Sequence, residues 1–264
     1  MSALVSGNFS GLSSDYSKNR PDYSKSVLDA VLGLHSSERN DLRAADIGAG
    51  TGIWTRMLHD AGVVNVVAVE PNDDMRNQGQ ADNNGKSINW VKGSAEFTGL
   101  SDSNFELVTM ASSFHWANFE LSTKEFHRIL APGGRFVAIW NPRLIEVNPL
   151  LVQIESYLRE LKPNLKRVSS GRSGITETLT EKLNASEYFD DVIYLEGRHE
   201  IEMTKERYIG AWRSVNDLQV QLGPKAFGQF MTYIEQVTLN CETISATYLT
   251  RAWSASKSRA ITHN

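Results

Sequence analysis

The stretch RAADIGAGTGIWTRML, Arg43 to Leu58, constrains this chain more than any other. It places Gly48, Gly50 and Gly52 directly after an apolar run and directly before a segment with helical spacing. Glycine tolerates positive φ and carries no Cβ, so the backbone can turn tightly and another molecule can lie against it. Three glycines within Gly48–Gly52 exceed what a plain turn needs. At a strand-to-helix junction the free N–H groups of the helix start add to the attraction. In an open α/β sheet, ligands lie at the carboxyl ends of strands, near the point where strand order reverses. The stretch reads as a ligand-binding turn in such a sheet.

The flanking pattern agrees. LRAADI reads as a strand, and Trp54, Met57, Leu58 and Ala61 mark one face of a helix that Gly62 ends. VVNVVAVE is a continuous β-branched run closed by Glu70, as in a strand buried on both faces. INWVKGSAE and FELVTMASS supply further strands. In LSTKEFHRIL, Ser122 and Glu125 form a capping box, with Leu121 and Phe126 placed as a hydrophobic staple. RFVAIW is the next strand. Pro21 suits a first helical position ahead of Val27, Ala30, Val31 and Leu34. The expected order to Trp140 is a helix, then β-α-β-α-β-β-α-β. That order implies a mostly parallel sheet with helices on both faces and right-handed crossovers. Beyond Trp140 the segment from Pro149 reads as helix, DVIYLEGRHEIEM as strand, and ISATYLTRAW as a closing edge strand.

Two ligand classes suit such a turn. A dinucleotide site wants G-x-G-x-x-G, but here the third glycine comes one residue early, in Gly48-Ala49-Gly50-Thr51-Gly52. Glu70 can accept two hydrogen bonds from a ribose diol, which by itself fits either class. The D-x-G-x-G-x-G form, VEPNDDM, GSAE, FELVTMASSFHW and FHRILAPGGRFVAI, in that order, resemble the class I S-adenosylmethionine-dependent methyltransferases, in particular the type-11 superfamily of small-molecule and quinone enzymes. The resemblance covers about Tyr16 to Trp140. It implies a Rossmann-like seven-stranded sheet with a helical cap inserted after the fifth strand. It implies S-adenosylmethionine as cofactor and S-adenosylhomocysteine as product. Asp46, Gly48, Ala49, Gly50 and Thr51 should face the methionine part, Glu70 the ribose, and Pro71 and Met75 the adenine. Ser94, Ala95 and Glu96 should lie at the adenine edge, although Ser94 replaces the acid often found there. Ala111 should lie under the sulfonium. Tyr16 and Arg20, in YSKNRPDY, resemble an element that closes over the cofactor.

On this reading residues 1–40 are an arm and helix over the cofactor, 41–142 the cofactor-binding core, and 143–187 a cap. Residues 188–264 complete the sheet and the substrate pocket. Methyl transfer needs the nucleophile, methyl carbon and sulfur in line, so positioning supplies much of the rate. A base is required only if the acceptor keeps its proton. His115 is the candidate base, since its ordinary pKa suits proton abstraction. Phe114, His115, Trp116 and Trp140 are expected to border the acceptor pocket. Lys162, Lys166, Arg167 and Arg172, in a stretch without acids, suggest a lid that attracts an anionic acceptor.

Composition narrows the partners. With 27 basic and 31 acidic residues the net charge is −4, against a general affinity for nucleic acid. Cys241 is the one cysteine, so no internal disulfide and no cysteine-based metal cluster can form, and a reducing, cytoplasmic setting is expected. The histidines show no ligand spacing, so no metal is expected. The N-terminal sequence lacks a secretory pattern, and no apolar stretch is long enough to span a bilayer. The expected function is methylation of a small-molecule acceptor by a monomer or homodimer, most readily at a carboxylate or hydroxyl oxygen. Methylation of RNA or protein, and a catalytically silent cofactor-binding partner protein, are the alternatives.

Overall fold

The computed structural model describes residues 13–166, 171 and 174–259. Seven strands form one sheet: β1 (Arg43–Ile47), β2 (Asn65–Val69), β3 (Asn89–Val91), β4 (Phe105–Ala111), β5 (Leu130–Trp140), β6 (Phe189–Thr204) and β7 (Thr243–Lys257). Their order across the sheet is β3-β2-β1-β4-β5-β7-β6. The first five are parallel, and β7 runs antiparallel to both β5 and β6. The fold is therefore the Rossmann-like, mostly parallel sheet expected. The ISATYLTRAW strand is not at the edge, however. It lies between β5 and β6, and β6 takes the edge, with a largely exposed face.

Helices α1 (Ser13–Asn19) and α2 (Lys25–Gly33) precede the sheet; α3 (Ile53–Asp60), α4 (Asp73–Ala81) and α5 (Phe119–Ile129) connect its parallel strands. Later come α6 (Pro149–Leu161), α7 (Leu179–Ala185), α8 (Lys205–Arg213) and α9 (Asn216–Val237). Strand alternation sorts the core into two layers. Ala44, Leu107, Val137, Ile139 and Ala252 face α2 and α3, where Val27, Val31, Trp54 and Leu58 are buried. Ala45, Ile47, Val108, Ala138 and Trp253 face the other way, onto Phe126 and Ile129 of α5 and Leu179 and Leu183 of α7. A third cluster joins α6, α8 and α9 to the far half of β6 and β7, through Leu158, Trp212, Phe230, Met203 and Tyr248. This cluster thus draws its helices from both sides of β6 in the chain.

Two helix starts differ from the sequence expectation. The fifth helix begins at Phe119, because the Asn118 side chain accepts from Leu121 N at 3.0 Å. Ser122 is then interior and donates back to Asn118 O, which competes with any capping role. Likewise Ser24 caps α2, leaving Pro21 in the connection between α1 and α2.

One close approach fixes the sheet edge beside the glycine turn. The Trp90 indole of β3 lies on Gly79 of α4, where an added Cβ would sit 2.1 Å from its ring. Gly→Ala in a helix ordinarily gains ~0.5–1 kcal/mol. Gly79→Ala should instead lose stability, by ~1–3 kcal/mol for an overpacked contact. A lower urea midpoint at unchanged m value is the expected reading, and a raised midpoint would show that Trp90 yields freely.

Candidate active site

The site grows from the end of β1. Gly48, Gly50 and Gly52 adopt φ of +63°, +58° and +81°. A Cβ at Gly48 would meet Ser113 Oγ at 2.8 Å, so both conformation and space require glycine there. The turn is tied by Ala49 N to Val69 O at 3.1 Å and Gly52 N to Ala49 O at 2.9 Å. Beneath it Asp46 is fully buried, accepting from Thr55 Oγ1 at 2.6 Å and Thr109 Oγ1 at 2.9 Å. Burial pushes its pKa up to about 7 against the pull of those two hydroxyls. Asp46 does not border the cleft above. It lies below the turn, bonded to Thr55 and Thr109.

Glu70 closes β2 at the rim of the turn and is 7% exposed. One carboxylate oxygen accepts from Gly50 N and the other from Asn72 N, both at 2.8 Å. Burial raises its pKa, and these N–H donors, with Arg76 nearby, draw it back. Asn72 caps α4 by accepting from Met75 N, which sets Met75 over the turn, its Cε 3.4 Å from a Cβ built at Gly50.

These groups enclose a cleft of about 400 Å³. Twelve of the expected residues border it: Tyr16, Gly48, Ala49, Gly50, Thr51, Glu70, Pro71, Met75, Ser94, Ala95, Glu96 and Ala111. Tyr23, Ile53, Trp54, Asn72, Met110, Ser112, Ser113 and Ala117 join them without having been singled out. Tyr23 stands in the same YSKNRPDY stretch as Tyr16, so its signal was present. Ser112 and Ser113 directly follow Ala111, where β4 ends.

A second cavity of about 450 Å³ adjoins the first, and Tyr16, Tyr23, Ile53, Ser112 and Trp116 border both. Tyr23 Oη donates to Ser112 Oγ at 2.9 Å. Burial holds the Tyr23 hydroxyl well above its ordinary pKa, so it stays protonated. Ser112 holds φ of +55°, an uncommon conformation for a non-glycine residue. The second cavity continues along Asn141, Arg143, Glu155 and Leu158 to Asp217 and Tyr248. Arg20 borders this cavity alone; its Nε donates to Ser214 Oγ at 2.9 Å and its Nη2 to Ser214 O at 3.2 Å.

Of the aromatic residues expected around an acceptor, Trp116 borders both cavities; Phe114, His115 and Trp140 border neither. Phe114 is packed edge-on against Phe136, and Trp140 likewise against Trp253, where apolar burial outweighs exposure to a pocket. His115 Nδ1 accepts from Trp140 Nε1 at 3.2 Å, so its proton sits on Nε2, a buried atom with no partner among the described residues. Burial pulls its pKa down to about 4. It is packed against Trp140 and borders neither cavity. Lys162 borders the second cavity, whereas Lys166 is exposed and its main chain pairs with Gln221. Arg167 and Arg172 lie outside the described residues.

The depressed His115 pKa has a sign that stability can test. Its neutral form is favoured in the fold, so its contribution is present above the ordinary 6.5 and is lost as pH falls toward about 4. His115→Gln should therefore lose less thermal stability than the parent across that interval. Equal losses would place His115 in water.

Comparison with known proteins follows the same lines. Residues 45–138 match the type-11 family profile described as a methyltransferase domain. An uncharacterized methyltransferase of Mycobacterium tuberculosis is 33% identical over 128 residues, 48% of this chain and 49% of its own. One from Schizosaccharomyces pombe is 29% identical over 129 residues, 49% and 50%. The chain thus spans about half the length of the curated relatives it matches. Among solved structures, a candidate type II methyltransferase of Anaeromyxobacter dehalogenans superposes with a TM-score of 0.67 at 18% identity, covering 90% of this chain and 97% of that one. Haemonchus contortus phosphoethanolamine N-methyltransferase 2, solved with phosphomonomethylethanolamine and S-adenosylhomocysteine, gives 0.54 at 12% identity, over 96% and 58%.

Proposed function

We propose that this chain, whose residues 45–138 form a methyltransferase domain of the type-11 family, is an S-adenosylmethionine-dependent methyltransferase acting on a small-molecule acceptor, at a carboxylate or hydroxyl oxygen. The observation that carries the reading is the pair of adjoining cavities with five residues in common. One has the motif residues of the cofactor, and the other is large enough for a small organic acceptor.

The residues present fit the cofactor. The turn is stripped of Cβ atoms where a ligand would lie, Glu70 presents its carboxylate at the rim, and buried Thr51 Oγ1 has no partner among the described residues. Glu70 would hold the ribose hydroxyls, Met75 and Pro71 the adenine face, and Gly48 to Thr51 the methionine end. When bound, the cofactor supplies a sulfonium methyl group, its sulfur leaving as a neutral thioether as the acceptor's lone pair takes the methyl carbon. The chain's part is to aim the acceptor. Tyr16, Tyr23, Ser112 and Trp116 form the wall common to both cavities, where the acceptor must enter in line. Tyr23 is fixed by Ser112 and keeps its proton, so it donates a hydrogen bond and does not serve as a base. A carboxylate acceptor arrives without a proton and needs no base. Arg20 pairs with no carboxylate among the described residues, which favours an anionic acceptor.

No helix among the described residues is long and apolar enough to cross a membrane. We place the enzyme in the cytoplasm as a monomer or homodimer. The size of the second cavity, about 450 Å³, favours a small acceptor over RNA or protein. A silent cofactor-binding partner is separated by turnover to S-adenosylhomocysteine.

Thermal and chemical unfolding test the cofactor directly. S-adenosylhomocysteine at 100 times its Kd should add about 2.7 kcal/mol to folding stability. Glu70→Ala should abolish that gain, and NADH should give none. No gain with either adenosyl ligand would overturn the reading.

A further inference from the structure

Among the described residues, the acceptor cavity contains a carboxylate with no counterpart. Asp217 lies in the first turn of α9 and is 2% exposed. Both of its oxygens are buried, and neither accepts a hydrogen bond from the described residues. A helix start favours a negative charge, but that field alone satisfies no lone pair. Leaving a buried carboxylate without donors is costly and uncommon. Such a group persists where a ligand completes it.

Its neighbours sharpen the chemistry. Arg143 also borders the cavity and lies over the Trp212 ring at 4.0 Å, with Glu155 favouring its charge. Arg20 is anchored to Ser214, three positions before Asp217 in the chain, by neutral oxygens, and its guanidinium lies over the Tyr16 ring at 4.8 Å. Arg20 and Asp217 border one cavity and make no ion pair with each other. A cation without a carboxylate and, just beneath the cavity surface, a carboxylate without a donor therefore belong to residues bordering the same space. Arg159 and Lys162, exposed at its rim, add positive charge.

We propose that Asp217 is a specificity residue, and that the acceptor is a carboxylic acid that also carries a hydrogen-bond donor, a hydroxyl or an ammonium group. Arg20 takes the acid and Asp217 takes the donor. This rests on the acid-acceptor reading above and extends it to a second functional group. A plain acid would leave Asp217 as unmatched in the complex as in the free protein, so discrimination follows from the bond that only the substituted acid makes.

Calorimetry with matched acids tests this. Butyrate, hexanoate and octanoate are each compared with their 2-hydroxy, 3-hydroxy and 2-amino derivatives, on the protein with S-adenosylhomocysteine and on the free protein. At least one substituted acid should bind ~10-fold or more tightly than its parent. Asp217→Asn should erase that contrast and leave the plain acids unchanged, whereas Arg20→Gln should weaken every acid. Asp217→Asn should also raise Tm by ~2–4 °C, since it removes an unmatched buried charge. A contrast that is absent, or that survives Asp217→Asn, overturns the proposal, as does a lower Tm for that variant. Binding of plain and substituted acids alike would retain the acid reading and discard the donor. Binding of none would discard both, and because the free protein is measured too, that result is separable from a failure to bind S-adenosylhomocysteine.

Discussion

The Asp46 carboxylate holds together the elements on which both cavities stand. It sits at zero exposure under the glycine turn and accepts from Thr55 on α3 and Thr109 on β4. One side chain thus links β1, the helix that follows it and the neighbouring strand on the far side of the strand-order reversal. Three consecutive alternate positions with positive φ give a backbone with little intrinsic preference for one shape. The shape has to be imposed from outside, and a buried, doubly bonded acid imposes it from beneath. Its raised pKa reflects what desolvation costs at that position.

The residues around the first cavity were largely legible because its walls are local in the chain. Each wall is a strand end or the few residues after it: Gly48 to Thr51 after β1, Glu70 to Met75 after β2, Ser94 to Glu96 after β3, Ala111 at the end of β4. Turn chemistry and strand-end position are both visible in short windows. Asp46 was misplaced because spacing shows that an acid precedes the turn but not whether it points up to the cleft or down into the core. His115 was misplaced for a similar reason. Its loop reaches the site, yet Trp140 turns the ring inward.

The acceptor side was mostly hidden. Its walls come from Arg20, Arg143, Glu155, Asp217 and Tyr248, positions scattered over much of the chain. They meet only because β7 inserts between β5 and β6 and carries the far half of the sheet under α6, α8 and α9. No short window encodes that pairing. The basic residues near Lys162 were conspicuous in the sequence, whereas Asp217 resembles any acid near a helix start until its surroundings are known. The walls of the first cavity are thus written in contiguous motifs, and those of the second in long-range packing.

Tyr16 and Tyr23 lie on either side of Arg20 in one short piece of chain, and both border both chambers. Asn19 of the same piece is fitted against Gly210 of α8, where no Cβ could be accommodated. The two chambers therefore share a door. Any displacement of this segment would open both chambers together, so what fills one bears on access to the other.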